Sequence, residues 1–449
     1  MSSEAGICRK KIKRTLFCND RISALPDDLL LHILCLIPTK DAVTTMVLSK
    51  RWRFVWTMLP KLDYRENSEG EKSVWDFLDK SLQLHKAPSL ERLRIHLGQQ
   101  CPVDVDVGKW VLNAVDRCVR KLILEIRFIP TADPTSLPKS LYTCKALVKL
   151  TLRGEILIDV PSSACLPSLE SLVLANVMYK DQDSHVKLLS SCPVLRYLLV
   201  CRDKSDNVTR FIVKLPSLRK LTYMDLASLI CNAHHSGRSL VIDSPGLNYV
   251  DIFDLGGHRC SIQNIPRLDV ATVMPRLDVA SVTAAKFGLH VTNKFLRSLS
   301  SVRCLDLALK EVACCSAINF PRLIEFKLRT YYSDNWLKPL MLLLHNAPKL
   351  KALMITSDSH DHPLSWNQPS SVPGCLLSHL ETFEWKNFGE SREEKQFLAY
   401  ILANSKCLKT VRISLRPSKN DEEKKKITED VESMYRVSAS SQLLFSTEI

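Results

Sequence analysis

The stretch SDSHDHP, residues 357–363, sets Asp358, His360, Asp361 and His362 close together, and carboxylates interleaved with imidazoles are a donor set for a divalent metal. His234 and His235 in NAHHSGRS are a second imidazole pair. Sixteen cysteines offer thiolates, yet none are spaced CxxC and only Cys314 and Cys315 are adjacent, so zinc-knuckle spacing is absent. The 12 glycines form no phosphate-binding loop, which weighs against a nucleotide site. SDSHDHP follows a strand-like run, Leu353–Ile355, where a solvated loop is expected, and the His234–His235 stretch is equally polar. No nucleophile, base and orienting group form a recognisable constellation. The expectation is a protein without metal, cofactor or catalytic activity of its own.

The elements that would position any such residue are repetitive. From residue 90 onward L-x-x-L-x-L returns with conservative replacements, at Leu90-Leu93-Ile95, Val119-Leu122-Leu124, Leu147-Leu150-Leu152 and Leu169-Leu172-Leu174. It continues through Leu195-Leu198-Val200, Leu218-Leu221-Tyr223, Leu247-Val250-Ile252, Val302-Leu305-Leu307 and Leu323-Phe326-Leu328. The last copies are Leu350-Leu353-Ile355, Leu380-Phe383-Trp385 and Leu408-Val411-Ile413. Successive copies begin about 21 to 30 residues apart, except for a double gap between Leu247 and Val302. Two near-duplicates, IPRLDVATV (265–273) and MPRLDVASV (274–282), lie in that gap, and aligning Leu277, Ala280 and Val282 with the grid restores the spacing.

A short strand buries alternate residues, so L-x-L supplies two inward anchors and the earlier leucine closes the turn. One unit cannot cover its own apolar face, whereas stacked units can, which predicts an α/β solenoid. Proline before several copies, as in SSCPVL, HNAPKL and ACLPSL, ends the preceding segment and sets an extended entry. Cys144, Cys192 and Cys407 then read as small buried fillers. The grid resembles the irregular leucine-rich repeats of plant F-box proteins over roughly residues 85 to 415.

Ahead of the repeats, LPDDLLLHILCLIP (25–38) places Leu29, Leu30, Ile33, Leu34 and Ile37 on one helical stripe, with Pro26 in its first turn and Asp27 and Asp28 at its positive end. Pro38 stops that helix, and Thr39 is expected to cap a second one whose stripe is Ala42, Val43, Met46 and Val47. In SKRWRFVW, Trp52 and Trp56 lie four apart and are expected to pack inward, with Lys50, Arg51 and Arg53 in water. Three helices in so short a span cannot hide all their apolar surface. The run DRISALPDDLLLHILCLIPTKDAVTTMVLSKRWRFVWTMLPKLDY resembles the F-box of the plant family that couples an F-box to leucine-rich repeats. That resemblance implies docking to a Skp-type adaptor, and through it to a cullin scaffold, with Leu25, Pro26, Leu29, Ile33, Leu34, Ile37 and Pro38 supplying the contact, although not all of them can face outward.

From about Val372 the rhythm changes to a strand, HLETFEWKNF, a helix with Phe397, Leu398, Ile401 and Leu402 on one side, and a further strand, LKTVRISL. This segment, including the terminal SSQLLF, resembles the FBD domain of plant F-box proteins and is expected to cap the solenoid. The division that follows is a basic tail at 1–19, an F-box at 20–66, repeats at 85–370 and an FBD-like αβ domain at 371–446.

Residues between the inward anchors point away from the core. In the middle copies these are Tyr197, Leu199 and Cys201, then Thr222 and Met224, then Tyr249, Asp251 and Phe253, an unusually apolar and aromatic row. Earlier and later rows are charged, as at Arg92, Arg94 and His96 or Glu325, Lys327 and Arg329. Tyr197, Leu199, Tyr249 and Phe253 are therefore the candidate contacts for a target protein.

The formal net charge of +14 invites a nucleic-acid reading, but apart from Arg9 to Arg14 and Lys424 to Lys426 the cations are spread among acids, which argues against it. No apolar run approaches the roughly 20 residues needed to span a bilayer. The irregular cysteines and the non-apolar start MSSEAGICRKKIKR fit a reducing intracellular setting, nucleus or cytoplasm. The function implied by the resemblance is a non-catalytic substrate receptor of an SCF-type ubiquitin ligase. A repeat scaffold without ligase recruitment is the alternative.

Overall fold

The computed structural model describes residues 22, 25–66, 74–99, 101–102, 105–127, 133–226, 238–254, 259–274, 293–308, 318–330, 336–357, 366–389, 391–417 and 420–446. One turn recurs ahead of the strands. The first anchor donates its N–H to the carbonyl three residues back, as in Leu169 to Leu166, Leu195 to Cys192, Leu218 to Leu215 and Leu350 to Ala347, each at 3.2 Å. The residue at that earlier position is buried in these turns and in those at Cys144, Ser244, Phe320 and Ser405. The strand then starts on a shared carbonyl of the preceding coil: the N–H groups of Arg196 and Tyr197 both donate to Glu170, and those of Lys409 and Thr410 both donate to Glu381.

The strands are β1 (Lys61–Arg65), β2 (Arg92–Leu97), β3 (Lys121–Ile126), β4 (Thr135–Ser136), β5 (Lys149–Gly154), β6 (Ile156–Ile158), β7 (Ser171–Ala175), β8 (Met178–Tyr179), β9 (Tyr197–Arg202), β10 (Arg210–Val213) and β11 (Lys220–Asp225). They continue as β12 (Ser239–Asp243), β13 (Tyr249–Asp254), β14 (Arg259–Gln263), β15 (Val270–Met274), β16 (Cys304–Ala308), β17 (Glu325–Thr330), β18 (Ala352–Ser357), β19 (Thr382–Phe388), β20 (Thr410–Leu415) and β21 (Gln442–Ser446). Among the described residues a 15-stranded sheet runs β1-β2-β3-β5-β7-β9-β11-β13-β15-β16-β17-β18-β19-β20-β21, in chain order, with every neighbour parallel. Two three-stranded sheets, β4-β6-β8 and β10-β12-β14, form from the segments between these strands. The molecule is an α/β solenoid, because only a coil that returns to the same side can place successive strands parallel and in order.

The helices are α1 (Asp27–Leu34), α2 (Thr39–Thr44), α3 (Trp52–Val55), α4 (Trp75–Leu84), α5 (Val107–Asp116), α6 (Ser184–Ser190), α7 (Asn293–Ser298), α8 (Leu337–His345), α9 (Gly374–Ser378), α10 (Arg392–Asn404) and α11 (Asp421–Glu432). The inward anchors of the large sheet and the buried faces of these helices form one continuous core. The last strands obey the same ladder as the first, so the sheet does not break at residue 371. Here the core turns aromatic: Trp336 packs edge-on against Trp385 (5.8 Å between centroids) and Phe397 (6.1 Å), and Trp366 against Phe397 (5.2 Å). Capping boxes at Ser391 with Glu394 and at Asn420 with Glu423 fix the starts of α10 and α11.

Several expectations are corrected. Cys407 is exposed, because the buried turn position three residues before Leu408 is held by Ser405; Cys144 and Cys192 hold that position in their own coils and are buried. The first duplicate, not the second, fills the gap: Leu268, Ala271 and Val273 are buried anchors, and β15 pairs with β13 and β16. Leu277, Ala280 and Val282 lie outside the described residues, as do His234, His235, Asp358, His360, Asp361, His362 and Arg9 to Arg14. Thr39 does not cap α2, which begins after Pro38; its hydroxyl accepts the Asp63 N–H at 2.7 Å and ties the helical unit to β1.

Gly154 ends β5 at φ +87°, and an added Cβ would lie 1.9 Å from the Ile126 carbonyl oxygen, which accepts the Glu155 N–H at 3.0 Å. Both the left-handed backbone and the closeness of β3 require glycine here. Gly154→Ala is expected to cost roughly 2–4 kcal/mol, read as a lower urea midpoint of unfolding.

Candidate functional site

The N-terminal helices have two differently treated sides. Leu30, Leu34, Ala42, Trp52, Val55 and Trp56 are buried in the same core as Leu62 and Leu93 of the first coils, so this unit is built onto the end of the solenoid. The N–H groups of Lys86 and Ala87 donate to the Thr57 carbonyl, and those of Glu91 and Arg92 to the Pro60 carbonyl. The opposite side is uncovered. Leu29 is 50% exposed, Ile33 42% and Ile37 40%, with Pro26 and Pro38 exposed beside them and Leu25 half-buried. Leu34 was expected among these contacts and is corrected: at 2% exposure it belongs to the core, one helical position round from Ile33.

The unit exposes further apolar side chains that sequence reading does not single out, Leu36 (85% exposed), Leu48 and Phe54, and the expected α2 stripe splits, with Ala42 buried and Met46 and Val47 (82% exposed) outside. Trp52 and Trp56 do pack inward, and Arg51 reaches back to Asp27 at 2.5 Å. A cavity of about 480 Å³ opens where this face meets the solenoid, lined by Leu36, Ile37, Lys40, Asp63, Arg65 and Phe77.

The second candidate lies on the outer face of the large sheet. Register aligns Tyr197, Lys220 and Tyr249 in one row, Leu199, Thr222 and Asp251 in the next, and Cys201, Met224 and Phe253 in the third. Tyr197, Leu199, Tyr249 and Phe253 are thus brought onto one continuous surface, each half-buried. Lys220, which sequence reading passed over, stands between the tyrosines: its ammonium is 4.2 Å from the Tyr249 ring centroid and 6.0 Å from that of Tyr197. Asp251 is in a less comfortable position. Its Oδ1 is out of water with no hydrogen-bond partner among the described residues. Burial pushes its carboxyl from 3.8 up to about 6, Lys220 opposing the shift and Asp306 adding to it. The flanking rows carry paired charges, Arg94 with Asp63 at 3.6 Å, Lys327 with Glu325 at 2.9 Å and Arg329 with Asp306 at 3.3 Å.

Among the described residues, no cluster of three or more His, Cys, Asp or Glu side chains could hold a metal ion, and no helix is long and apolar enough to cross a membrane.

Comparison with known proteins gives three family matches. An F-box domain model matches residues 22–64, a model of the leucine-rich repeats of the FBD-associated F-box protein At5g56370 matches residues 107–274, and an FBD model matches residues 368–413. Arabidopsis thaliana has relatives over nearly the whole length. The FBD-associated F-box protein At1g05080 is 48% identical over 445 residues, covering 95% of this chain and 98% of its own. The F-box/FBD/LRR-repeat protein At1g22000 is 49% identical over 447 residues, covering 95% and 91%, and At3g49480, of the same description, is 45% identical over 446 residues, covering 94% and 95%. With the F-box match on the helices that leave an apolar face uncovered, and the repeat and FBD matches on one unbroken sheet, this chain belongs to the F-box/FBD/leucine-rich-repeat protein family.

Proposed function

We propose that the chain is the substrate-recognition subunit of an SCF-type ubiquitin ligase: the F-box docks a Skp-type adaptor, the adaptor connects to a cullin scaffold, and the outer face of the repeats holds a target protein. The division of labour is an F-box at 20–66, repeats at 85–370 and an FBD-like domain at 371–446, behind a basic tail at 1–19. The chain's own contribution is proximity rather than chemistry, since holding a target lysine near a charged ubiquitin carrier raises the effective concentration of the reacting groups. One observation carries the reading. The helical unit buries Leu30, Leu34, Trp52 and Trp56 in the core shared with the solenoid and leaves Leu29, Ile33, Leu36, Ile37, Val47 and Phe54 exposed, an arrangement that suits a partner's apolar groove.

The test is co-purification of the full chain with a plant Skp-type adaptor. A complex of equal stoichiometry by size-exclusion chromatography with light scattering is the expected result. A chain that elutes alone would overturn the ligase reading and return the molecule to a repeat scaffold.

A further inference from the structure

The outer face of β9, β11 and β13 combines an apolar, aromatic surface with one unsatisfied negative charge. Asp251 faces outward at the centre of this patch, between Tyr249 and Phe253 on its own strand, and Thr222 and Thr272 stand opposite it on β11 and β15. Its orphaned Oδ1 lacks the hydrogen bond that a buried carboxylate oxygen ordinarily has. Lys220 is the nearest cation, but its ammonium rests on the Tyr249 ring, and its field does not offset the burial of the carboxyl. Asp306, two strands along in the same row, adds negative potential, although Arg329 pairs with it. A group in this state destabilises the free chain and is relieved by a cation that donates a hydrogen bond and supplies positive charge. The neighbouring rings favour the same visitor, since an aromatic face attracts ammonium and guanidinium groups, as Tyr249 already does with Lys220.

Resting on the target-binding reading above, we infer that this patch recognises a target segment carrying an arginine or lysine next to an apolar residue, the cation seated on Asp251 between Tyr249 and Phe253 and the apolar neighbour on Leu199 and Met224. Charge complementarity selects a basic segment over an acidic one, and the half-buried aromatics supply the apolar contact that a point charge lacks. Asp251 is the specificity-determining group, because it is the member of the patch whose own hydrogen bonding is incomplete.

The experiment uses the full chain, alone and in complex with its adaptor, on an array of short immobilised peptides with leucine and tyrosine around a central Arg, Lys, Gln or Glu. Central Arg or Lys is expected to be retained at least about tenfold over Gln and Glu. Asp251→Asn removes that preference, while its adaptor binding is unchanged and its melting temperature is equal or higher, since the substitution removes a poorly solvated charge. Equal retention of all four peptides, preference for Glu, or a preference that survives Asp251→Asn overturns the inference. So does a doubling of mass in sedimentation that Asp251→Asn abolishes, which would make a second copy of the chain the occupant. Failure of the adaptor to bind counts against the ligase reading alone, because the peptide preference is also read with the isolated chain.

Discussion

Replacing Ile33 with aspartate is expected to weaken adaptor binding by about 100-fold or more while removing no more than about 1 kcal/mol of stability. Ile33 lies on the water-facing side of α1, 42% exposed, so in the free chain the new carboxylate stays solvated. The stability cost comes only from the lower helix propensity of aspartate and its place near the negative end of α1. In the complex the same carboxylate would be enclosed against apolar groups, which is among the most expensive changes an interface can suffer. Leu34→Ala should do the reverse. Leu34 is in the core, so truncation leaves a cavity and costs about 2–5 kcal/mol, while affinity for the adaptor falls only as the folded population falls. Titration calorimetry with the adaptor and thermal unfolding of each variant separate the two effects. Wild-type affinity in Ile33→Asp would remove α1 from the docking surface.

The contrast between Ile33 and Leu34 marks where sequence reading ran out. A period of three and four residues identified one apolar stripe on α1, but it did not say which edge of that stripe the solenoid would cover. That depends on Trp56 and Leu62, which pack in the same core from outside the helix. For the same reason Val47, which the helical period groups with Ala42, is in water. The L-x-x-L-x-L anchors were legible because each copy states its own burial, two inward residues and a turn. The residue three places earlier was less so. Cys144, Ser405, Phe320 and Ala347 share that buried place without sharing a chemical type, and what they have in common is a backbone turn. Duplication hid the choice between Leu268 and Leu277, since two equally good copies competed for one coil, and the described β15 is built from the first. Alternation along the strands put Tyr197, Tyr249 and Asp251 on the outer face. Lys220 needed the register, because its position between two tyrosines arises only when three coils are stacked.

The second large effect is expected beneath that same surface. Arg202 ends β9 on the inward side, opposite Asp225 at the end of β11, and it is fully buried. Asp206 receives its guanidinium in a bidentate pair, from Nε at 2.7 Å and Nη2 at 3.0 Å, while Nη1 donates to the Tyr223 hydroxyl at 3.0 Å and the Val208 carbonyl accepts a further bond. The Phe211 ring lies 5.5 Å from the guanidinium carbon. Next to it Arg238 pairs with Asp225 at 3.2 Å and donates to the Asp203 and Asp206 carbonyls, so two buried pairs share one loop. An arginine does not shed its charge when its partner is lost, so Asp206→Ala strands a buried cation and should cost about 3–5 kcal/mol. Arg202→Met combined with Asp206→Leu removes both charges and should recover most of that loss, because a buried ion pair adds little over well-packed apolar side chains. Chemical denaturation measures the cycle, and hydrogen exchange locates it. In Asp206→Ala protection should fall across β9 and β11 while β19 and β20 are unaffected, since in a stacked array each coil leans on its neighbours. β9 carries Tyr197 and Leu199, and β11 carries Lys220 and Met224. The pair therefore holds the floor of the candidate target surface, and a variant that loosens it should lose the Arg or Lys preference without any change at Asp251.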